Sequence, residues 1–300
     1  MKSCIRPVLY GCFFLMYSFS GNALFSQELQ IDPHLVRKVA PGFFVHMVNG
    51  SLVTFFTGED GLMVIDPAPE ADSIRTDTTL LTAFNLPVRY IVYSHSHFDQ
   101  IGAGKYYKRE GRTVTIAHLN ARNEMMSVWE APEVFNIPPV APRPSDQLPD
   151  MCFTDSMEIQ FNGETVTLYH TPEAHTMGDI VIYFRNSNVI CTGDLFVFRS
   201  GFSPYEGSFR GVIQALDQII KLCDFQTVII PGQGSVTNLV GLVEYRNNLL
   251  KVVEKVVRLK DKGKTYEQIV AMEPLADLQT GTRFFPDNMI IYCIYYGKWE

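Results

Sequence analysis

The chain has 300 residues, of which 46% are hydrophobic and 19% charged, and a formal net charge of −7. That much apolar material buries a proper core and excludes a disordered chain, while the acidic balance excludes a nucleic-acid binder held by charge. The length admits one large domain or two small ones.

Residues 1–26 stand apart. Lys2 and Arg6 precede an apolar stretch, Val8–Phe19, and small residues follow at Gly21 and Ala23. That order is the order of a secretory signal peptide, and the apolar stretch falls short of the roughly 20 residues of a stable membrane span. Its removal takes away two positive charges and moves the net charge from −7 to −9. The sequence therefore predicts an exported protein, periplasmic or secreted, with residues 27–300 as one domain; the alternative for residues 1–26 is a retained N-terminal anchor. Cys152, Cys191, Cys223 and Cys293 form no close pair of the thiolate-metal or redox kind and are expected as buried free thiols.

In chain order, strand-like runs at Gly42–Val48, Ser51–Thr57 and Leu62–Ile65 surround turn chemistry at Gly58-Glu59-Asp60-Gly61 and predict an antiparallel meander. A polar helical stretch around Ser73–Phe84 leads to Val88–Ser94, apolar nearly throughout like a strand covered on both faces. Helix-like Gly102–Arg109, a strand at Thr113–Ala117 and a helix near Leu119–Val128 complete a β/α half. The proline-rich stretch Pro132–Pro149 has no periodicity and reads as a long loop over a site. A second half repeats the pattern with strands at Met157–Phe161, Thr165–His170, Ile180–Phe184 and Val189–Thr192, the amphipathic helix Phe209–Leu222, and a strand at Thr227–Ile230. Helices at Asn238–Leu259 and Tyr266–Met272 form a C-terminal extension from about residue 237 to 300. Two such halves predict two sheets back to back with helices outside.

Chemistry gathers where the buried strand stops, at His95-Ser96-His97-Phe98-Asp99-Gln100. Residues two apart in an extended segment project the same way, so His95 and His97 can close on one metal ion. Catalytic zinc takes three protein ligands and a water, and the best third imidazole is His175, in the loop His175-Thr176-Met177-Gly178-Asp179. Two later strand ends carry Gly193-Asp194 and Gly232-Gln233-Gly234. Functional groups in layered folds collect on such rims.

Taken in this order, the chain resembles the metallo-β-lactamase superfamily, whose metal motif is His-x-His-x-Asp-His followed by three later single ligands. The likeness runs from about Phe43 to Val236 and includes Asp66, the metal loop, Ala117-His118, the His175 loop, Gly193-Asp194 and Pro231-Gly232. It implies an α/β fold, an αββα sandwich of two mixed sheets flanked by helices with a metal cleft at one edge. His95, His97 and His175 fall on the first-metal ligands, Asp194 on the carboxylate that bridges two metals in many relatives, and Asp99 on the second-metal carboxylate. Gln100 and Gln233 stand where the motif has its remaining two histidines. Amide oxygens are weak zinc ligands, so one zinc ion is expected and a degenerate second site of Asp99, Gln100 and Gln233.

The expected activity is zinc-dependent hydrolysis of a small activated acyl substrate (lactam, lactone, ester or thioester) by hydroxide formed at the metal, with Asp99 orienting the attacking water or taking up its proton and Asp194 binding the metal or holding the same water from the other side. His118 is a candidate substrate contact or substitute ligand, or a structural residue, and Asp179 either orients a ligand imidazole or begins the next strand. Two alternatives remain: a binding protein on a decayed enzyme scaffold, and a mononuclear iron sulfur-dioxygenase using His95, His175 and Asp194. The oligomeric state is not written in the sequence.

Overall fold

The computed structural model describes residues 36–69, 83–108, 112–133, 136, 138–197, 206–278 and 286–297. They all belong to one compact unit that spans Ile31–Glu300. The segment 1–26 and most of the helical stretch Ser73–Phe84 lie outside the described residues.

Seven strands build the first sheet in sequential order: β1 (Arg37–Ala40), β2 (Phe43–Val48), β3 (Ser51–Gly58), β4 (Gly61–Ile65), β5 (Val88–Val92), β6 (Val114–His118) and β7 (Met151–Phe153). The first four pair antiparallel, and β4 to β7 pair parallel. The second sheet orders β12 (Val228–Ile230), β11 (Val189–Cys191), β10 (Ile180–Phe184), β9 (Glu164–His170) and β8 (Ser156–Phe161). Only its β11–β12 pair is parallel. Both sheets are mixed, as the resemblance implied.

The sheets face each other across one apolar layer that includes Phe43, Phe56, Met63, Ile65 and Val92 from the first and Phe161, Leu168, Ile182, Phe184 and Ile230 from the second. Phe43 stacks on Phe56 at 4.6 Å and meets Phe184 edge-on at 4.7 Å. Aromatic pairs of this kind contribute about 0.5–1.5 kcal/mol beyond area burial. β4 is buried throughout because its other face is also covered: Leu62, Val64, Ile91 and Tyr93 pack with Ala103, Tyr107 and Ala121. Those residues belong to or adjoin three short helices, α1 (Phe98–Ile101), α2 (Gly104–Tyr107) and α3 (Leu119–Met125). The outer face of the second sheet is covered by α4 (Phe209–Leu222), α5 (Leu239–Asp261), α6 (Tyr266–Ala271) and α7 (Asp287–Tyr296). The Ser208 side chain caps α4, Asn238 caps α5, and Thr265 and Gln268 form a capping box on α6. The result is an αββα sandwich. Among the described residues no helix is long and apolar enough to cross a membrane, and the four cysteines are free thiols.

The edge of the sandwich where β5, β11 and β12 end is stitched across the sheets. Ile180 N–H donates to Ser94 O at 2.9 Å, and Leu52 N–H to Gly232 O at 2.8 Å. The parallel register Cys191↔Ile230 brings Gly193-Asp194 and Gly232-Gln233 side by side.

Candidate metal centre

β5 ends at Val92, and the chain then turns sharply under the control of Asp66. That residue sits at φ 50°, and its Oδ1 accepts from Ser94 N–H at 2.7 Å. Ala68, also in the left-handed region, exchanges backbone bonds with Gln100 and Ala103, which fixes α1 directly behind the motif. His97 therefore stands in extended conformation at the start of a helix, with His95 two residues before it.

His175 arrives from the other sheet, in the loop between β9 and β10. Asp179 shapes that loop. Its Oδ2 accepts from His175 N–H (2.7 Å) and Thr176 N–H (2.8 Å), and its Oδ1 from the Thr176 hydroxyl (2.8 Å). Asp179 thus stands behind the His175 ligand and holds its loop through backbone amides.

The three imidazoles converge. Ring centroids lie 4.7–4.8 Å apart with interplanar angles of 83–88°. One nitrogen from each lies within 4.8 Å of the others, and His97 Nδ1 is 2.9 Å from His175 Nε2. Tetrahedral zinc with bonds of about 2.0–2.1 Å needs ligand nitrogens roughly 3.3 Å apart, so small side-chain movements bring the trio onto one ion. His95 Nε2 is fully buried without a hydrogen-bond partner, a state that costs a polar atom about 1–3 kcal/mol unless a ligand takes its lone pair. Burial, followed by the charges of His97 and His175, holds His95 well below the usual imidazole range, in the neutral form a metal needs.

The far nitrogens are also engaged. His95 Nδ1 is 3.0 Å from Ser94 Oγ, and His97 Nε2 is 3.0 Å from Glu206 Oε1. Donation to Glu206 leaves the His97 Nδ1 lone pair facing the cluster, the arrangement seen where a carboxylate orients a metal-bound imidazole. Burial pulls the His97 imidazole down, but the Glu206 hydrogen bond and charge, with the charges of Asp99 and Asp194, outweigh it and push the metal-free group up to about 9.

Beside the trio lies a set of amides and carboxylates in which Gln100 Oε1 is buried without a hydrogen-bond partner. Gln100 Nε2 donates to Asp194 Oδ1 at 3.0 Å, and Gln233 Nε2 donates to Asp194 Oδ2 at 2.7 Å and to Asp99 Oδ2 at 3.3 Å. Turning either amide over would set its oxygen against a carboxylate oxygen, so N–H donors face this site where the motif's histidines would present lone pairs. Asp194 Oδ2 stays 3.9 Å from His175 Nε2. Burial, and then the charge of Asp99, raises the Asp194 carboxyl well above its ordinary value, and burial raises Asp99. A Cβ on Gly232 would strike Asp194 Oδ1, and one on Gly193, at φ +51°, would strike Ser94 Oγ; both strand ends pack too closely for any side chain.

His118 is placed elsewhere. Its Nδ1 accepts from Asn120 N–H at the start of α3, its Nε2 faces Thr154 O at 3.0 Å, and its ring stacks on His170 at 3.6 Å. It is a capping residue, and it does not join the cluster of three. Three contributors lie outside the motif reading. Glu206 belongs to no strand end or motif, Ser94 stands one residue before the motif, and the Trp129 ring lies 6.5 Å from His97. Only Ser94 carried a signal, its position at the end of a buried strand.

Comparison with known proteins bears on the same residues. The family model of the metallo-beta-lactamase superfamily matches residues 46–223, more than half of the chain and all of the histidine trio. The chain belongs to the metallo-beta-lactamase superfamily. Within it, the hydroxyacylglutathione hydrolase of Pelagibacter ubique (strain HTCC1062) is 24% identical over 159 residues, 53% of this chain and 56% of that protein. The match thus spans about half the length of that relative. Among solved structures, the stereoselective inverting sec-alkylsulfatase Pisa1 from Pseudomonas sp. aligns with a TM-score of 0.65 at 16% identity, over 87% of this chain and 49% of that one. A metallo-beta-lactamase from Pontibacter korlensis aligns with a TM-score of 0.56 at 16% identity, over 72% of this chain and 98% of that one. These likenesses carry the fold. The family match covers the loop residues that carry the three-histidine cluster, which could hold a metal ion.

Proposed function

We propose that this superfamily member is an exported hydrolase that works with a single zinc ion on His95, His97 and His175 and cleaves an activated acyl substrate: a lactam, lactone, ester or thioester. The observation that carries the reading is the perpendicular imidazole trio with the orphaned, buried His95 Nε2. Three imidazoles suit zinc better than the two-histidine, one-carboxylate set of mononuclear iron, since Asp194 is tied by both amides. When bound, zinc supplies Lewis acidity: it acidifies water and polarises an acyl carbonyl.

The chain's own residues divide the remaining work. Asp99, oriented through Oδ2 by Gln233, takes up the proton of the attacking water, and burial raises its carboxyl above the ordinary carboxylate value. Asp194, held at both oxygens, keeps the floor of the site rigid. With amide donors in place of a second cation, leaving-group charge is stabilised less, which favours good leaving groups over unactivated phosphodiesters. Trp129 gives the substrate an apolar wall. Its backbone exchanges two hydrogen bonds with Val140 in the proline-rich loop (3.0 and 2.9 Å), and Phe98, directly after His97, is 56% exposed. The name of the Pelagibacter relative, a hydrolase of an acyl-glutathione, also supports an acyl substrate.

The test is a panel of chromogenic esters, thioesters, lactones and lactams, assayed with zinc-loaded and chelator-stripped protein. Turnover that is lost on stripping and restored by zinc is the expected result. A fully metal-loaded protein that turns over none of them sinks the hydrolase reading and leaves a binding protein on the same fold.

A further inference from the structure

The three imidazoles come from two loops that belong to different sheets, so something must set the distance between them. β5 and the first sheet position His95 and His97, and the β9–β10 loop of the second sheet positions His175. One side chain, on neither loop, hydrogen-bonds to both. Glu124 of α3 accepts from the Ser96 hydroxyl at 2.7 Å through Oε2, and from Met177 N–H at 3.0 Å through Oε1. Ser96 lies between His95 and His97, and Met177 lies two residues past His175.

The rest of α3 braces the same contact. Asn120 Nδ2 donates to Met177 O at 3.0 Å, so one helix holds both backbone polar atoms of Met177. His170 Nε2 also meets that carbonyl at 3.0 Å, and its ring stacks on His118, the cap of α3. Gly178 lies against the backbone of Ala121 so closely that a Cβ would overlap Ala121 N and Cα, which seats the loop directly on the helix. A carboxylate suits the task because both of its oxygens accept, and both partners here are donors.

We propose that Glu124 is a positioning residue that clamps the His95/His97 loop to the His175 loop, and that this clamp sets the metal affinity of the site. The inference rests on the three-histidine metal reading above. Groups that orient metal ligands from behind typically change affinity by about 10–100-fold when removed.

The experiment measures zinc affinity by chelator competition, and the d–d spectrum of the cobalt-substituted protein, for wild type, Glu124→Ala, Glu124→Gln and Ser96→Ala. Glu124→Ala is expected to weaken zinc at least about tenfold and to change the cobalt spectrum, because His175 is released relative to His97. Glu124→Gln is expected to stay within about threefold of wild type: its amide oxygen still accepts from Met177 N–H, and its amide N–H can donate to Ser96 Oγ. Ser96→Ala is expected to fall between, since the Met177 half of the clamp survives. Rescue by glutamine separates positioning from bulk stability, and Ser96→Ala with Glu124→Gln carries the test if Glu124→Ala does not fold. Wild-type affinity and spectrum in Ser96→Ala and Glu124→Ala overturn the clamp and leave the metal site intact. A wild-type protein that binds no zinc overturns both the site and the clamp.

Discussion

Gln233→Leu removes the donor that links Asp194 to Asp99 and keeps the side chain's approximate size. The lost contacts are a 2.7 Å bond to Asp194 Oδ2 and a longer one of 3.3 Å to Asp99 Oδ2. A hydrogen bond to a charged acceptor contributes about 1.5–3 kcal/mol, and the longer contact lies at the weak end, so the two together come to about 3 kcal/mol. In a domain of this size each kcal/mol moves the melting temperature by about 2–4 °C, so the metal-free variant should melt roughly 6–12 °C below the parent. The loss should shrink at pH 5, because Asp194, raised by burial and by Asp99, can then take a proton in place of the missing donor. Thermal melts of metal-free protein at pH 5 and pH 8 measure both effects. A metal-free variant within about 2 °C of the parent at pH 8 would refute the idea that amide donors hold this carboxylate pair together.

Restoring the motif with Gln100→His and Gln233→His together should raise bound zinc toward two per chain, read by elemental analysis, since Asp99 and Asp194 already stand beside both positions. Asp99→Ala should keep the zinc and lose turnover by about 10²–10⁴-fold, as expected for loss of a general base; steady-state rates beside metal content separate the two effects. Burial pushes the Asp66 carboxyl up to about 7 against the lowering effect of its Ser94 bonds. Between about pH 4 and 7 the native state therefore keeps a proton that the unfolded chain has shed, and stability falls as pH rises through that window. Asp66→Asn keeps an acceptor for Ser94 N–H and should flatten that fall in urea melts of metal-free protein; an unchanged slope would assign the pH dependence elsewhere.

Much of the layered fold was legible because strands covered on both faces read as continuous apolar runs, and helix Phe209–Leu222 was found to the residue from its one-sided pattern. The last helix, Asp287–Tyr296, went unread. Its Met-Ile-Ile-Tyr-Cys-Ile-Tyr-Tyr run is apolar all round and rich in β-branched and aromatic residues, so neither period nor propensity marks it as helical. The four-residue helix at Phe98 lies below the length at which any period shows, and the strands Arg37–Ala40 and Met151–Phe153 are as short. At the site, the histidines and aspartates were legible because strand ends and spacing announce them. Glu206, Glu124 and Trp129 were not: each reaches the cluster from a segment whose own sequence has no motif, and only the tertiary fold brings it there. His118 and Asp179 stand out in the sequence by position alone; His118 caps the helix that follows it, and Asp179 holds the backbone of its own loop.

One zinc ion on three imidazoles is tested most directly by a zinc titration of the metal-stripped protein beside His175→Ala, followed by elemental analysis of both. One tightly bound ion per wild-type chain and its loss in the variant are expected, because His175 supplies a third of the ligand set. A wild-type chain that takes up no zinc, or two ions with equal tightness, would contradict it.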